Sequence, residues 1–291
     1  MNSQPHPTGP MHRRRPLVLI TGATGGLGKA MAVECAARGW DLFLTDTTGV
    51  ALETLAAGLR NAHAVRVLHH TCDLTDPAAR AALFDRAAKE GLRFWSLVNV
   101  AGLDYEGPFY ERSGSQIRSI IRLNIEATLE MTHAVLEFRD PLSPFRIITV
   151  SSLAAFNPMP VKATYAASKR FLLDFFLALR EEVRALGATV TVLCPGGLPT
   201  TPGAIEGIQA QGWLGVLTTQ NVGSVAAATI DAALRGRAVV VPGFANQIVR
   251  ALSAVTPAPI VVRLIANRWT TARAKRQQPR TAAQPAPLEA A

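Results

Sequence analysis

From Leu17 to Pro242 the sequence alternates short β-rich runs with stretches of helical periodicity. The runs are Leu17–Thr21, Asp41–Thr45, Val65–Thr71, Ser96–Val100, Arg146–Ser151, Thr189–Cys194 and Ala238–Pro242. Helical patterns fill the gaps at about 26–38, 49–60, 76–90, 114–137, 163–186 and 221–235. A strand that is followed each time by a helix pairs in parallel, because the helix returns the chain across the sheet. Leu17-Val18-Leu19-Ile20 and Val190-Thr191-Val192-Leu193 are apolar almost throughout, as a sheet covered on both faces requires. The expectation is an α/β fold, a doubly wound parallel sheet of about seven strands with helices on both faces.

No linker interrupts this rhythm, so residues 17–243 read as one domain. Glycines and prolines crowd 197–220 around Trp213, which predicts an irregular insertion that acts as a lid. A helical extension is expected over 244–276, with a disordered lead at 1–16 and a disordered tail at 277–291. The hydrophobic share of 48% supplies a core for 291 residues. A net charge of +9 looks like a nucleic-acid signature, but three arginines precede residue 17 and six basic residues face one acid after residue 250. The body is therefore nearly neutral, which argues against a nucleic-acid partner. Three separated cysteines read as reduced thiols of a cytoplasmic protein. Neither a signal-peptide apolar core nor an apolar run of the ~18 residues needed for a membrane span is present.

The first strand runs into Thr21-Gly22-Ala23-Thr24-Gly25-Gly26-Leu27-Gly28 and then a helix. Glycines here allow a tight turn and a close approach of backbone to a pyrophosphate at the helix N-terminus, where free N–H groups and the dipole favour anions. That placement makes the sheet Rossmann-type. A purely structural turn would look similar. Asp46 ends the second strand, where a carboxylate can accept from an adenosine ribose and repel a 2′-phosphate. Thr47 and Thr48 after it are uncharged, so NAD(H) is expected over NADP(H). The same aspartate could instead cap the next helix.

Tyr165 and Lys169 stand four apart in a helical pattern, which puts phenol and ammonium on one face. A cation beside a phenol favours its ionised form, so Tyr165 is a candidate acid/base. A buried tyrosine with a lysine beside it would give the same spacing. Ser152, at the end of another strand, lies thirteen residues upstream.

Together these residues resemble the short-chain dehydrogenase/reductase family over about residues 17–243. Asp73 and Leu74 match its adenine-side acid and neighbour. Asn99-Val100-Ala101-Gly102 matches its N-N-A-G stretch, with Val100 in place of the second asparagine. Asn124 matches a helical asparagine, and Pro195-Gly196 with Thr200 matches the run flanking the nicotinamide. The resemblance implies a catalytic set of Asn124, Ser152, Tyr165 and Lys169. It implies a cofactor site from Thr21, Gly22, Gly26, Leu27, Gly28, Asp46, Asp73, Leu74, Asn99, Ala101, Gly102, Tyr165, Lys169, Pro195, Gly196 and Thr200. Tyr165 would exchange the proton, Ser152 would position the substrate oxygen, Lys169 would grip the ribose and depress the phenol's pKa, and Asn124 would hold a connecting water. A dimer or tetramer is also implied.

Leu153, Phe156, Met159 and Trp213 are the expected substrate contacts, mostly apolar, which points to a hydrophobic alcohol or ketone. His69, His70, Cys72 and Asp73 resemble a metal cluster, but strand alternation sends the two histidines to opposite faces, so no metal is expected. Cys194 has no histidine positioned to activate it. Val261, Ile265 and Trp269 form a stripe among arginines at 260–276. That stripe could lie on an anionic membrane surface, at the inner face, or pack on the domain. A non-catalytic NAD-binding regulator and a membrane-surface protein on the same fold are the alternatives to an NAD-dependent oxidoreductase.

Overall fold

The computed structural model describes residues 15–210 and 212–277. Seven strands, β1 (Leu17–Thr21), β2 (Asp41–Asp46), β3 (Val67–Thr71), β4 (Ser96–Asn99), β5 (Phe145–Val150), β6 (Ala188–Leu193) and β7 (Val239–Val240), form one parallel sheet in the order β3-β2-β1-β4-β5-β6-β7. The chain starts in the middle, winds outward to β3, and then crosses to β4 and winds the other way. The β1/β4 boundary is thus a topological switch point, where the crevice outside the strands' carboxyl ends takes ligands.

Alternate residues of β1 explain why the sheet needs two helical layers. Leu17 and Leu19 join a core with Phe84, Met131, Leu172 and Phe176. These come from α3 (Pro77–Lys89), α5 (Thr128–Val135) and α6 (Ala163–Glu182). Val18 and Ile20 join the opposite core with Met31, Leu52, Ala56 and Ile230, from α1 (Gly26–Ala37), α2 (Gly49–Ala62) and α9 (Val222–Leu234). Burying each such side chain contributes about 1.5–3 kcal/mol. The doubly wound expectation holds.

Several boundaries differ. The pattern at 114–137 is not one regular helix: α4 (Gly114–Ile121) passes into a π-helical segment at Arg122–Ala127 before α5, and Asn124 lies in it. Such bulges re-aim side chains and concentrate at functional sites. The insertion at 197–220 is not irregular, because it holds α7 (Pro202–Ala210) and α8 (Gly212–Leu217). Pro202 occupies the helical first turn, where its missing N–H costs nothing. Gly212, at φ +65°, divides the two helices. The proline thus starts one helix and the glycine separates it from the next.

After β7 come α10 (Phe244–Val255) and α11 (Ala258–Gln277). Val261 and Trp269 of the basic stretch are buried, and α11 packs on α7. The stripe therefore faces the domain. Except for Arg15, Pro16 and Gln277, the expected lead and tail lie outside the described residues.

Candidate active site

The glycine-rich turn joins β1 to α1 at the switch point. Gly22 has φ +62°, and a Cβ there would stand 2.8 Å from the Ala101 backbone. A Cβ on Gly28 would stand 2.0 Å from the Gly22 carbonyl oxygen, so this helix lies against its own turn only as glycine. Thr21 Oγ1 accepts from the Val100 and Ala101 N–H groups at 3.1 and 3.2 Å, which ties the turn to the end of β4. Asp76, Ser113 and Asn221 cap α3, α4 and α9 with their side chains, whereas α1, like α2, α6 and α10, has neither a side-chain cap nor an acid in its first turn. Uncapped N–H groups and the positive dipole end fit the pyrophosphate of a dinucleotide.

Asp46 caps no helix. Its Oδ2 accepts from Thr24 N at 2.9 Å and Thr24 Oγ1 at 2.7 Å, and its Oδ1 accepts from Thr47 N at 2.7 Å. Thr48 stands at the α2 N-cap without a side-chain bond. Asp46 therefore fastens the glycine turn to β2; its Oδ1 also accepts from Thr47 Oγ1 at a long 3.4 Å, and a ribose hydroxyl would take the place of that fourth, weakest bond. Asp73 is exposed beyond β3 and accepts from Thr75 N and Oγ1, while Leu74 is buried. Asn99 points inward: its amide donates to Thr132 Oγ1 at 2.9 Å, so it braces α5 against β4. Gly196 leaves no room for a Cβ beside Thr218 O and Asn246, and Thr200 lies over Gly26, where a Cβ would meet it at 2.8 Å. The Pro195–Thr200 segment thus reaches across to the turn at Gly26.

Beyond β5 and at the start of α6 the four catalytic candidates come together. The Ser152 side chain is close enough to the Tyr165 hydroxyl to favour its ionised form, while Ser152 Oγ accepts from Ala154 N at 3.1 Å. Lys169 is 4% exposed; its Nζ donates to Val150 O at 2.9 Å and lies 5.8 Å from the Tyr165 ring centroid. Asn124 exchanges bonds with the Leu103 backbone at 2.9 and 3.0 Å and donates to Ser168 Oγ. Gly102 sits between them, where a Cβ would stand 3.2 Å from both Asn124 Oδ1 and Lys169 Nζ.

The electrostatics run against the expected direction at Tyr165. Burial pushes its phenol up to about 12, the Ser152 side chain pulls the other way, and Asp104 adds to the rise. Burial also pushes Lys169 down, to about 8, with Asp104 opposing. At Tyr165 desolvation outweighs the one contact that favours the phenolate, that of Ser152. At neutral pH both groups keep their protons, an arrangement poised to donate.

Sequence reasoning missed the residues on the far side of Tyr165. A cavity there is lined by Tyr105, Phe109, Arg112, Gln116, Val161 and Lys162 among others. Leu153, Phe156, Met159 and Trp213 do not line it. Leu153 and Phe156 pack on the core, and Trp213 is 74% exposed on α8. Lys162 Nζ pairs with Asp104 and, at 3.4 Å, with Glu106. It also lies 5.7 Å from the Tyr165 ring and 4.9 Å from the Trp269 ring. The missed signal was positional: Asp104 and Glu106 follow the Gly102 stretch at the carboxyl end of β4.

The other candidates stay apart. His69 Nε2 lies 2.6 Å from Glu53 Oε2 on the β3 edge. Cys35, Cys72 and Cys194 are free and buried, and burial raises them to about 12, 11 and 11, which leaves poor nucleophiles.

This sheet, turn and Ser-Tyr-Lys cluster define a Rossmann-type α/β fold with a polar cluster at its switch point. A family model described as short chain dehydrogenase matches residues 16–207, and the chain belongs to that family. It is similar to a very-long-chain 3-oxoacyl-CoA reductase of Pyrenophora tritici-repentis, 32% identical over 59% of this chain and 52% of that protein. It is also similar to sulfoacetaldehyde reductase 2 of Chromohalobacter salexigens, 34% identical over 62% of this chain and 71% of that protein. Mouse 17-beta-hydroxysteroid dehydrogenase type 3 is 32% identical over 62% of this chain and 60% of its own. The chain thus spans about half the length of the fungal relative.

Proposed function

We propose that this chain transfers a hydride between NAD(H) and a secondary alcohol or ketone, with Tyr165 as the acid/base. The observation that carries this reading is the buried Lys169, whose Nζ lies 5.8 Å from the Tyr165 ring, with Ser152 beside the same phenol. Ser152 fixes where a substrate oxygen sits, and Tyr165, protonated at neutral pH, gives that oxygen its proton in the reducing direction. In the oxidising direction Tyr165 receives the proton, which requires phenolate and makes oxidation faster as pH rises. Lys169 keeps a positive charge beneath the phenol, and Asn124 braces the Gly102 loop around it. A bound nicotinamide would supply the hydride donor or acceptor; Gly22, Gly26, Gly28 and the open N-terminus of α1 would hold its pyrophosphate.

Asp46 supports NAD(H) over NADP(H), because a carboxylate already bridging Thr24 and Thr47 would face a 2′-phosphate with like charge. Buried free thiols support a reducing, cytoplasmic setting. An oligomeric partner is supported by Phe244, Ile248, Leu252 and Val255, apolar and exposed at helical spacing on α10. The inward stripe of α11 supports domain packing over a membrane contact.

Replacement of Tyr165 by Phe tests the reading. Turnover should fall by about 10²–10⁴-fold, while NADH, titrated by fluorescence beside NADPH, binds as before and the more tightly of the two. Full turnover in that variant would remove the acid/base role, and NADPH binding more tightly would remove the role of Asp46.

A further inference from the structure

Arg80, buried, and Arg86 and Arg180, half-buried, show how this chain handles a guanidinium drawn in from solvent. Arg80 donates to Leu74 O and Glu130, Arg86 to Glu90 and His69 O, and Arg180 to Val190 O and Gly236 O. Arg112 is handled differently. Its side chain is 22% exposed, its Nε is buried without a partner, and its nearest acid, Glu111, lies 4.0 Å from Nη2. That separation is too long for a hydrogen bond. One of its five donors, the Nε–H, is thus buried without a partner, an arrangement that costs stability unless a ligand completes it.

The surrounding backbone makes room for the guanidinium. Gly107 has φ +145°, and a Cβ there would stand 2.5 Å from Arg112 Nη2. Val161 has φ +60°, a strained conformation for a β-branched residue, and its carbonyl accepts from Gly107 N at 2.8 Å. This bond pins the loop after β4 to the segment leading into α6. Arg112 and Gln116 therefore share a cavity with Tyr165. Gln116 uses its Oε1 on Ser113 N in the α4 capping box, and its NH₂ group makes no bond among the described residues. Lys162, the cavity's other cation, is already held by Asp104 and Glu106.

We propose that this cavity is a subsite for an oxyanion carried by the substrate, a carboxylate, sulfonate or phosphate, with Arg112 as its partner. The planar guanidinium fork matches the two oxygens of such a group. Phe109, Ile117 and Ile120 line the same cavity and would contact the carbon chain between the anion and the carbonyl. The inference rests on the Tyr165 reading, which places the carbonyl at the other end. It narrows the substrate from a hydrophobic alcohol or ketone to an oxo or hydroxy acid.

The full chain is assayed with 4-oxopentanoate and its methyl ester. Wild type should prefer the acid, and Arg112→Met should lower the acid-to-ester ratio of kcat/KM by roughly 30-fold, chiefly through KM. Arg112→Lys should recover part of that ratio. A wild type that uses acid and ester alike, or an Arg112→Met ratio equal to wild type, overturns the subsite. A calorimetric arm in the Tyr165→Phe background uses butanoate, propanesulfonate, propyl phosphate and butanamide. Arg112-dependent binding of one of the anions, with no binding of the amide, supports the subsite and identifies its oxyanion. If such binding is found but wild type reduces neither ketone, the catalytic reading fails and the subsite stands. If both ketones are reduced through Tyr165 and no anion binds in preference to the amide, the subsite fails and the catalytic reading stands.

Discussion

The two halves of this site are built from different materials. Around the glycine turn, the contacts that define shape are main chain against main chain: a Cβ on Gly22 or Gly28 would strike backbone at 2.8 or 2.0 Å. Around the insertion and extension, apart from the backbone contact of Gly196 with Thr218 O, they are side chain against side chain, as where Lys162 links Asp104, Glu106 and Trp269. In that half a Cβ on Gly203 or Gly212 would meet nothing within 4 Å. Backbone geometry permits little change without loss of fold. Side-chain contacts can be exchanged, so one fold and one reacting cluster can serve many substrates.

The largest expected effect is in the backbone half. Gly28→Ala forces a methyl group against the Gly22 carbonyl, a contact that neither partner can relieve by rotating. Stability should fall by about 3 kcal/mol, the upper range for overpacking, with loss of NADH binding in the same variant. Urea unfolding beside fluorescence titration measures both. An unchanged midpoint with normal NADH binding would break the contrast between the halves.

Lys169 lies at the seam and tests whether burial governs its charge. Its folded pKa is about 8 against an ordinary 10.5. Between those values the unfolded chain binds more protons than the folded one, so stability rises with pH. Below about 8 both states are protonated and the full cost of burying the charge is present; above 10.5 neither carries it. The stability of wild type relative to Lys169→Met should therefore climb by roughly 2–3 kcal/mol between pH 7.5 and 10. A difference that is flat across that window would mean that Lys169 is not desolvated as its 4% exposure implies.

The same division decided what could be read from sequence. Gly22, Gly28, Ser152, Tyr165 and Lys169 were legible because turns and helical spacing are local, and local pattern carries them to the same crevice. The seven strands were legible from alternation, with errors confined to their ends. Arg112, Asp104 and Lys162 were not, because their meaning depends on a loop after β4 meeting the segment before α6. No spacing rule links those segments. Asp46 was half legible: its place at the end of β2 was clear, but its bond to Thr24 crosses between elements. The π-helical turn at Asn124 was invisible, since one extra residue in a helical turn leaves the apolar pattern almost unchanged.

In the side-chain half, Trp269→Ala removes the ring that covers Lys162 from α11. The loss should be about 1 kcal/mol, the scale of a partly desolvated cation–π contact, and NADH affinity should not change. Differential scanning calorimetry and the NADH titration separate the two outcomes. A loss of NADH binding would mean that the extension supports the cofactor half, and the division drawn between the halves would be wrong.

The smallest effect should have the opposite sign. Gly203 lies in the first turn of α7 with open space where a Cβ would go. In a helix glycine is destabilising relative to alanine by roughly 0.5–1 kcal/mol, because it loses more freedom on folding. Gly203→Ala should therefore raise the unfolding midpoint slightly, where Gly28→Ala lowers it sharply. The sign separates two kinds of glycine: one holds a close approach of backbone, the other only tolerates a helix. If Gly203→Ala were destabilising, α7 would have to lie against something that the Gly203 position meets in solution. The insertion would then be as tightly specified as the turn.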